Sequence, residues 1–191
     1  MLSRERMTRM IRRSQTYISV LIFTFVFLFC WKTTNLDITS IELSKWGTGG
    51  TVGILWNSAV LIFALSIAIN SWLYMRVHKR LKHRFKFYIL FASLPMTLAL
   101  VGIFDTFNYP YIHSVAAGLY FFIYPLTIFL FTHINRKNMS YSNWLIHILL
   151  ATSMAVLPLG LTMVFKGKAI AEIVHTILVI IYNIIIARHE H

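Results

Sequence analysis

Six apolar stretches decide what this chain can become, because each approaches the roughly 20 residues a helix needs to cross a hydrocarbon core about 30 Å thick. They cover residues 14–33, 52–75, 85–104, 111–132, 143–165 and 169–187. Their central parts hold no Lys or Arg; Lys32 and Lys86 lie at ends, where long side chains snorkel to the interface. Several of the runs are too long and too continuous for buried strands of a soluble sheet. Only 13% of residues are charged, against roughly 25% in soluble domains, and the mean hydropathy is +0.68. A chain of 191 residues cannot bury that much apolar surface in one water-exposed globule. The fold class expected is therefore all-α, a polytopic six-helix membrane bundle forming one domain over residues 1–191. A soluble enzyme, a disordered tail and a disulfide-stapled module are excluded, and the lone Cys30 has no partner for an internal disulfide.

The net charge of +12 has its cause in the connections between runs. The amino-terminal segment carries Arg4, Arg6, Arg9, Arg12 and Arg13. The second connection carries Arg76, Lys79, Arg80, Lys82, Arg84 and Lys86, the fourth Arg136 and Lys137, and the tail Arg188. Threaded through six spans, these 14 charges fall on one side and only Lys32, Lys45, Lys166 and Lys168 on the other. Cytoplasmic loops hold such an excess, so both termini are expected in the cytoplasm, as an even number of spans requires. The basic balance is thus a topology signal and gives no reason to expect nucleic acid. Residues 76–86 also have the composition that meets anionic headgroups, although anchoring alone explains them. Large Phe29 ahead of Cys30, with no small-residue cleavage pattern, favours an uncleaved first helix.

The longest outer connection, residues 34–51, predicts a short interfacial helix starting near Asp37, with Ile38, Ile41 and Trp46 toward the headgroups. Gly47, Gly49 and Gly50 then allow a tight re-entry. Trp31, Trp46, Trp72 and Trp144 fit interfacial belts, whereas Trp56 lies deeper. Pro95, Pro125 and Pro158 fall inside spans and are expected to kink them; kinks can open a cavity. Gly102, Gly118 and Gly160 are expected to permit close helix approach.

Polar groups beside hydrocarbon are expensive and so are the candidates for function. They gather toward the outer leaflet: Glu42 and Ser44 in the loop, Asn57 early in the second span, Asp105 ending the third, His113 starting the fourth, Glu172 and His175 in the sixth. Four of the six acidic residues are there, against Glu5 and Glu190 inside. Glu172 and His175, three apart, share a helix face, a spacing that can set a carboxylate and an imidazole on one metal ion. With His113 as a second nitrogen and Asp105 as a further oxygen, the set can hold zinc and activate water, or act as metal-free acid–base groups. Structural roles account for the same residues and weigh more. Glu172 suits the positive end of a helix dipole, Asp105 a turn with Asn108 and Pro110, and His113 a bond to a neighbouring helix. His147 is expected to pair between helices, and His78, His83, His133, His189 and His191 to be solvated.

Glu42-Leu43-Ser44 with its glycine-rich sequel, Leu55-Trp56-Asn57 entering a span, Gly102-Ile103-Phe104-Asp105, His113, and Gly167 ahead of Glu172 form a recurring pattern. It resembles the six-helix bacterial membrane family catalogued as domain of unknown function 998, itself distantly similar to the FRAG/DRAM/Sfk-type proteins. The resemblance covers about residues 16–187. Asp105 stands where that family often has a proline, and Ile173 where a basic residue is expected beside Glu172. The family carries no established activity; its distant relatives are implicated in lipid-anchor remodelling and membrane lipid organisation, an analogy that does not fix function. The resemblance implies a bacterial inner-membrane location. The leading expectation is an outer-leaflet pocket for a lipid or amphiphile, lined by Glu42, Asn57, Asp105, His113 and Glu172. A second is a membrane-embedded, metal-dependent hydrolase or lipid-modifying enzyme, with His113, Glu172 and His175 as ligands to zinc or another divalent ion and Asp105 among the catalytic groups. A third, resting on the proline kinks, is a small transporter. Membrane lipids are the expected partners.

Overall fold

The computed structural model describes residues 4–35, 37–39, 41–77 and 84–188, excepting the side chains at 4, 5, 77, 84–86, 88 and 138. Among the described residues there is no strand. The elements are α1 (Arg4–Thr34), a 3₁₀ turn (Leu43–Gly47), α2 (Gly50–Val77), α3 (Arg84–Ile103), α4 (Pro110–Ile134), a second 3₁₀ turn (Arg136–Asn138), α5 (Tyr141–Val164) and α6 (Ala169–Arg188). Five of the helices, α1, α2, α4, α5 and α6, are long and apolar enough to cross a membrane. The described apolar part of α3 is Ile89–Ile103. Leu21, Phe25, Phe122 and Met163 lie exposed on the outside of the bundle, the inversion of polarity that a hydrocarbon solvent requires.

Local chemistry sets the helix ends. Asn35, at φ 48°, occupies the left-handed conformation that closes α1 and sends its N–H to the Trp31 carbonyl. Pro110 opens α4, where its missing N–H costs nothing. Ser140 caps α5 by accepting from the Asn143 N–H at 3.3 Å. Each helix packs on its sequence neighbours, and α6 returns against α1 and α2, so the bundle closes on itself. Phe63, Ile67, Leu94, Tyr124, Ile128 and Val179 fill its middle.

The first helix departs most from expectation. It begins at Arg4 rather than at residue 14, and Arg12 is wholly buried instead of standing in an exposed basic anchor. The reason lies at the end of α6, whose last carbonyls lack helical partners. Arg12 donates to the Ile186 carbonyl and, at 3.2 Å, to Asn70 Oδ1. Its guanidinium carbon also lies 5.1 Å from the centre of the Tyr74 ring. Arg13 donates to the Ala187 and Arg188 carbonyls. Two arginines of α1 thus terminate α6, which brings the start of α1 and the end of α6 to the same end of the bundle. From Arg12 a buried polar chain runs inward: Asn70 Nδ2 donates to Asn183 Oδ1 at 3.2 Å, and Asn183 Nδ2 to Tyr124 Oη at 2.6 Å. Ser19, Ser66 and Gln15 form a second hydrogen-bonded seam between α1 and α2. Of the expected basic connection 76–86, residues 78–83, with His78, Lys79, Arg80, Lys82 and His83, lie outside the described residues, as do His189, Glu190 and His191.

The glycines divide. A Cβ on Gly102 would stand 3.1 Å from Val60 Cγ1 and 3.3 Å from the Asn57 carbonyl, so α2 and α3 meet there as expected. At Gly118 and Gly160 a Cβ would meet open space, and neither brings helices together. Overpacking and open sites have opposite signs. Gly102→Leu is expected to lower stability by about 1–3 kcal/mol, whereas Gly160→Ala leaves it unchanged or raises it by up to about 1 kcal/mol. Thermal melts of the two variants in detergent check the contrast.

Candidate functional site

The loop between α1 and α2 makes the site. Asp37 accepts from the N–H and hydroxyl of Thr39, turning the chain back over the bundle. The loop then pairs with the connection between α5 and α6: Gly167 N–H donates to the Thr39 carbonyl at 3.0 Å and Ala169 N–H to that of Ile41 at 2.9 Å. Next, the Leu43 N–H donates to Glu172 Oε2 at 2.7 Å, a charge-assisted bond between loop and α6. Beyond it the Leu43–Gly47 turn sinks into the bundle, with Leu43, Ser44, Trp46 and Gly47 buried. Trp46 meets Phe27 and Trp56 edge-on, at ring separations of 5.4 and 5.1 Å.

This overturns the expected interfacial helix near Asp37 and the placement of Trp46 among headgroups. The glycines explain why the loop can descend. Asn57 Nδ2 donates to the Gly47 carbonyl at 3.2 Å, so closely that a Cβ on Gly47 would lie 2.5 Å from Asn57 Oδ1. Gly49 and Gly50, at φ 137° and 61°, then reverse the chain into α2, the expected tight re-entry. Trp56 is buried as the sequence predicts.

Below the turn, Ser44, His113, Glu172 and Thr176 are the polar residues lining a cavity of about 70 Å³ whose wall is otherwise apolar, including Trp56 and Tyr120. That is room for a few water molecules or a small polar group. His113, in the first turn of α4, bonds through Nδ1 to the Phe104 carbonyl at 2.7 Å. A carbonyl only accepts, so Nδ1 carries the proton and Nε2 the free lone pair. The Ser44 hydroxyl, in a residue only 9% exposed, has no hydrogen-bond partner.

Two apolar grooves flank the cavity. One of about 210 Å³ lies between α1 and α6, walled by Phe23, Phe27, Ile173 and Ile177. The other, about 470 Å³, lies between α4 and α5 and reaches Lys168 and Glu172 at the head of α6. Gly118, Pro125 and Pro158 line it, so two of the three interior prolines border the larger groove. Glu172 borders both the polar cavity and this groove.

The other predicted residues are placed differently. Glu42 pairs with Lys168, Oε1 to Nζ 2.8 Å, and the hydrogen bond to this carboxylate raises the ammonium above its usual lysine range. Asn57 latches the loop, as described. Asp105, half-buried, accepts from Phe107 N–H and from both the backbone and side-chain N–H groups of Asn108. It orders the turn into α4, and neither Asn57 nor Asp105 lines the cavity. His175 is wholly buried one turn below Glu172; Nδ1 bonds to the Met154 carbonyl at 3.3 Å, and Phe121 lies 4.4 Å from it ring to ring. Glu172 and His175 therefore face different partners, the loop and α5. Among the described residues no three His, Cys, Asp or Glu side chains converge as a metal site. His147 is bonded within its own helix to Asn143 and packs edge-on against Tyr182 of α6.

Sequence reasoning missed Lys168, Thr176 and Gly118 as parts of the site, and Arg12, Asn70, Asn183 and Tyr124 as the buried chain. Lys168 stands four residues before Glu172, a spacing that places both on one helix face. Asn70 and Asn183 announce themselves as amides within apolar runs. The chain matches no family model, no curated protein and no solved structure, so the site is interpreted on its own geometry.

Hydrogen bonds from Asn108, then Phe107, hold the Asp105 carboxyl below its ordinary value. Its contribution to the turn is complete above the unfolded aspartate range and is lost as pH falls through the lowered value. An Asp105→Asn variant is expected to melt at a temperature less dependent on pH below about 4 than the parent. Identical acid profiles would show that the turn does not draw on this carboxylate.

Proposed function

We propose that the chain is a six-span protein of the bacterial inner membrane, of the kind found in the six-helix family it resembles, and that it binds a membrane lipid or similar amphiphile from the outer leaflet. Both termini lie in the cytoplasm on this reading. The positive-inside bias and the adjacency of the start of α1 and the end of α6 support that orientation. One observation carries the binding reading: Glu172 lines both a small cavity shared with His113 and a larger apolar groove. A lipid has the same division, with a compact polar head and an apolar chain. The cavity supplies His113 and Glu172 for the head, and the α4–α5 wall offers little but hydrocarbon for the chain. The buried loop turn above the cavity separates it from outer water, which strengthens any polar contact made beneath.

Native mass spectrometry of protein released from mild detergent tests this. A lipid adduct is expected on the parent and is reduced about tenfold, the equivalent of one charge-assisted hydrogen bond, in Glu172→Ala. Parent protein that emerges without any adduct, folded by circular dichroism, would contradict it.

The shared cavity of His113 and Glu172 also favours a second reading, a metal-dependent hydrolase or lipid-modifying enzyme in which both ligate zinc. Zinc bound at one equivalent and lost in both His113→Ala and Glu172→Ala would place that reading first.

A further inference from the structure

We propose that the ligand is a phospholipid with a primary-amine head, a phosphoethanolamine, its ammonium in the cavity beneath the loop and one acyl chain in the groove between α4 and α5. The inference rests on the amphiphile reading above and names the chemistry of that same site.

Charge points to the head. Among the described residues, the only basic side chain beside the two carboxylates is Lys168, and it is already paired with Glu42. Glu172 has the Leu43 N–H as its hydrogen-bond partner and no ion-pair partner among those residues. No basic side chain closes to ion-pair distance of this carboxyl group among the described residues, which leaves its place for a cationic donor open. The other polar groups of the cavity sort an ammonium from a quaternary amine. His113 Nε2 bears a lone pair because Nδ1 donates to Phe104, and the buried Ser44 hydroxyl has no partner. The Glu172 carboxyl group and the His113 imidazole nitrogen are two acceptors on residues that line one cavity of about 70 Å³. A primary ammonium carries three donors and is compact; a choline head carries none and is bulkier.

Lys168 then has its own place. It lies one helical turn from Glu172, about 6 Å along the face, and the two-carbon link of ethanolamine separates a phosphate from its amine by a similar span. Lys168 is largely exposed at the end of the groove, paired with Glu42, and exposed Lys166 lies two residues before it, so a phosphate there meets two lysines beside one carboxylate. Below that point the groove is apolar. Gly118, whose Cβ direction is empty, Ala155 and Pro158 leave the space open.

The test uses full-length protein stripped of lipid in detergent, then titrated with phosphatidylethanolamine, phosphatidylcholine or phosphatidylglycerol of identical acyl chains and read by native mass spectrometry. Phosphatidylethanolamine is expected to bind about tenfold or more tightly than either other lipid, a gap of one charge-assisted contact. Glu172→Gln, which keeps an acceptor for the Leu43 N–H, is expected to remove that preference while leaving residual binding. Gly118→Leu and, from the opposite wall, Ala155→Phe are expected to weaken all three lipids together. Equal binding of the three, or a preference for phosphatidylglycerol, with the groove variants still weakening binding, would overturn the amine assignment and leave the amphiphile reading standing. Selective binding that both groove variants leave intact would overturn the chain's placement. Failure of all three lipids to bind folded parent protein would overturn both readings.

Discussion

Of the three hydrogen bonds that seat the α1–α2 loop on the α5–α6 side of the bundle, one is made by a side chain: the Leu43 N–H given to the Glu172 carboxyl oxygen at 2.7 Å. It places an acidic group at the head of α6, where the helix dipole favours negative charge, and it holds the loop 37–47 down against the bundle. The remaining contacts depend on that descent. Trp46 reaches Phe27 and Trp56, Asn57 reaches the Gly47 carbonyl, and Thr106 reaches that of Ser44. With the loop seated, the space beneath it becomes a cavity instead of an open notch. The same carboxylate fastens the lid and faces the site.

The opposite end uses positive charge for a comparable purpose. Arg12 and Arg13 satisfy the final carbonyls of α6, so the first helix joins the last where α6 has no helical partners of its own. Arg12 is then linked through Asn70 and Asn183 to Tyr124, a polar chain touching α1, α2, α6 and α4. Inside a bundle with hydrocarbon outside, packing alone discriminates weakly between helix rotations. Directional hydrogen bonds of this kind supply register. The helix α6 is therefore tied at both ends, by a carboxylate above and by guanidinium groups below.

Much of this was legible before any coordinates. Hydropathy averaged over about 20 residues located the helices, because crossing a membrane is a property of whole segments. Local turn chemistry was legible too: the glycines around position 50, the Asp105 turn with Asn108, and buried Trp56 all follow from residues near one another in the chain. Arg12 was not legible, since five arginines before an apolar run look alike and only the distant end of α6 singles one out. Trp46 failed for the same reason. An amphipathic loop beside a membrane has two apolar places to go, and the choice of the bundle depends on Glu172, well over a hundred residues away. Lys168 was counted as an outer charge and nothing more until the groove beside it was seen. The candidate acids and histidines were found because hydrocarbon makes them conspicuous, yet their partners are long-range facts.

The seated loop is the claim on which the cavity, the grooves and the proposed ligand all depend, and amide hydrogen exchange at Leu43 measures it most directly. In protein reconstituted in lipid nanodiscs, the Leu43 amide is expected to exchange slowly, as a buried donor bonded to a carboxylate should, and to exchange rapidly in Glu172→Ala while amides in the middle of α6 stay protected. Rapid exchange at Leu43 in the parent, at the rate of an open loop, would contradict the account.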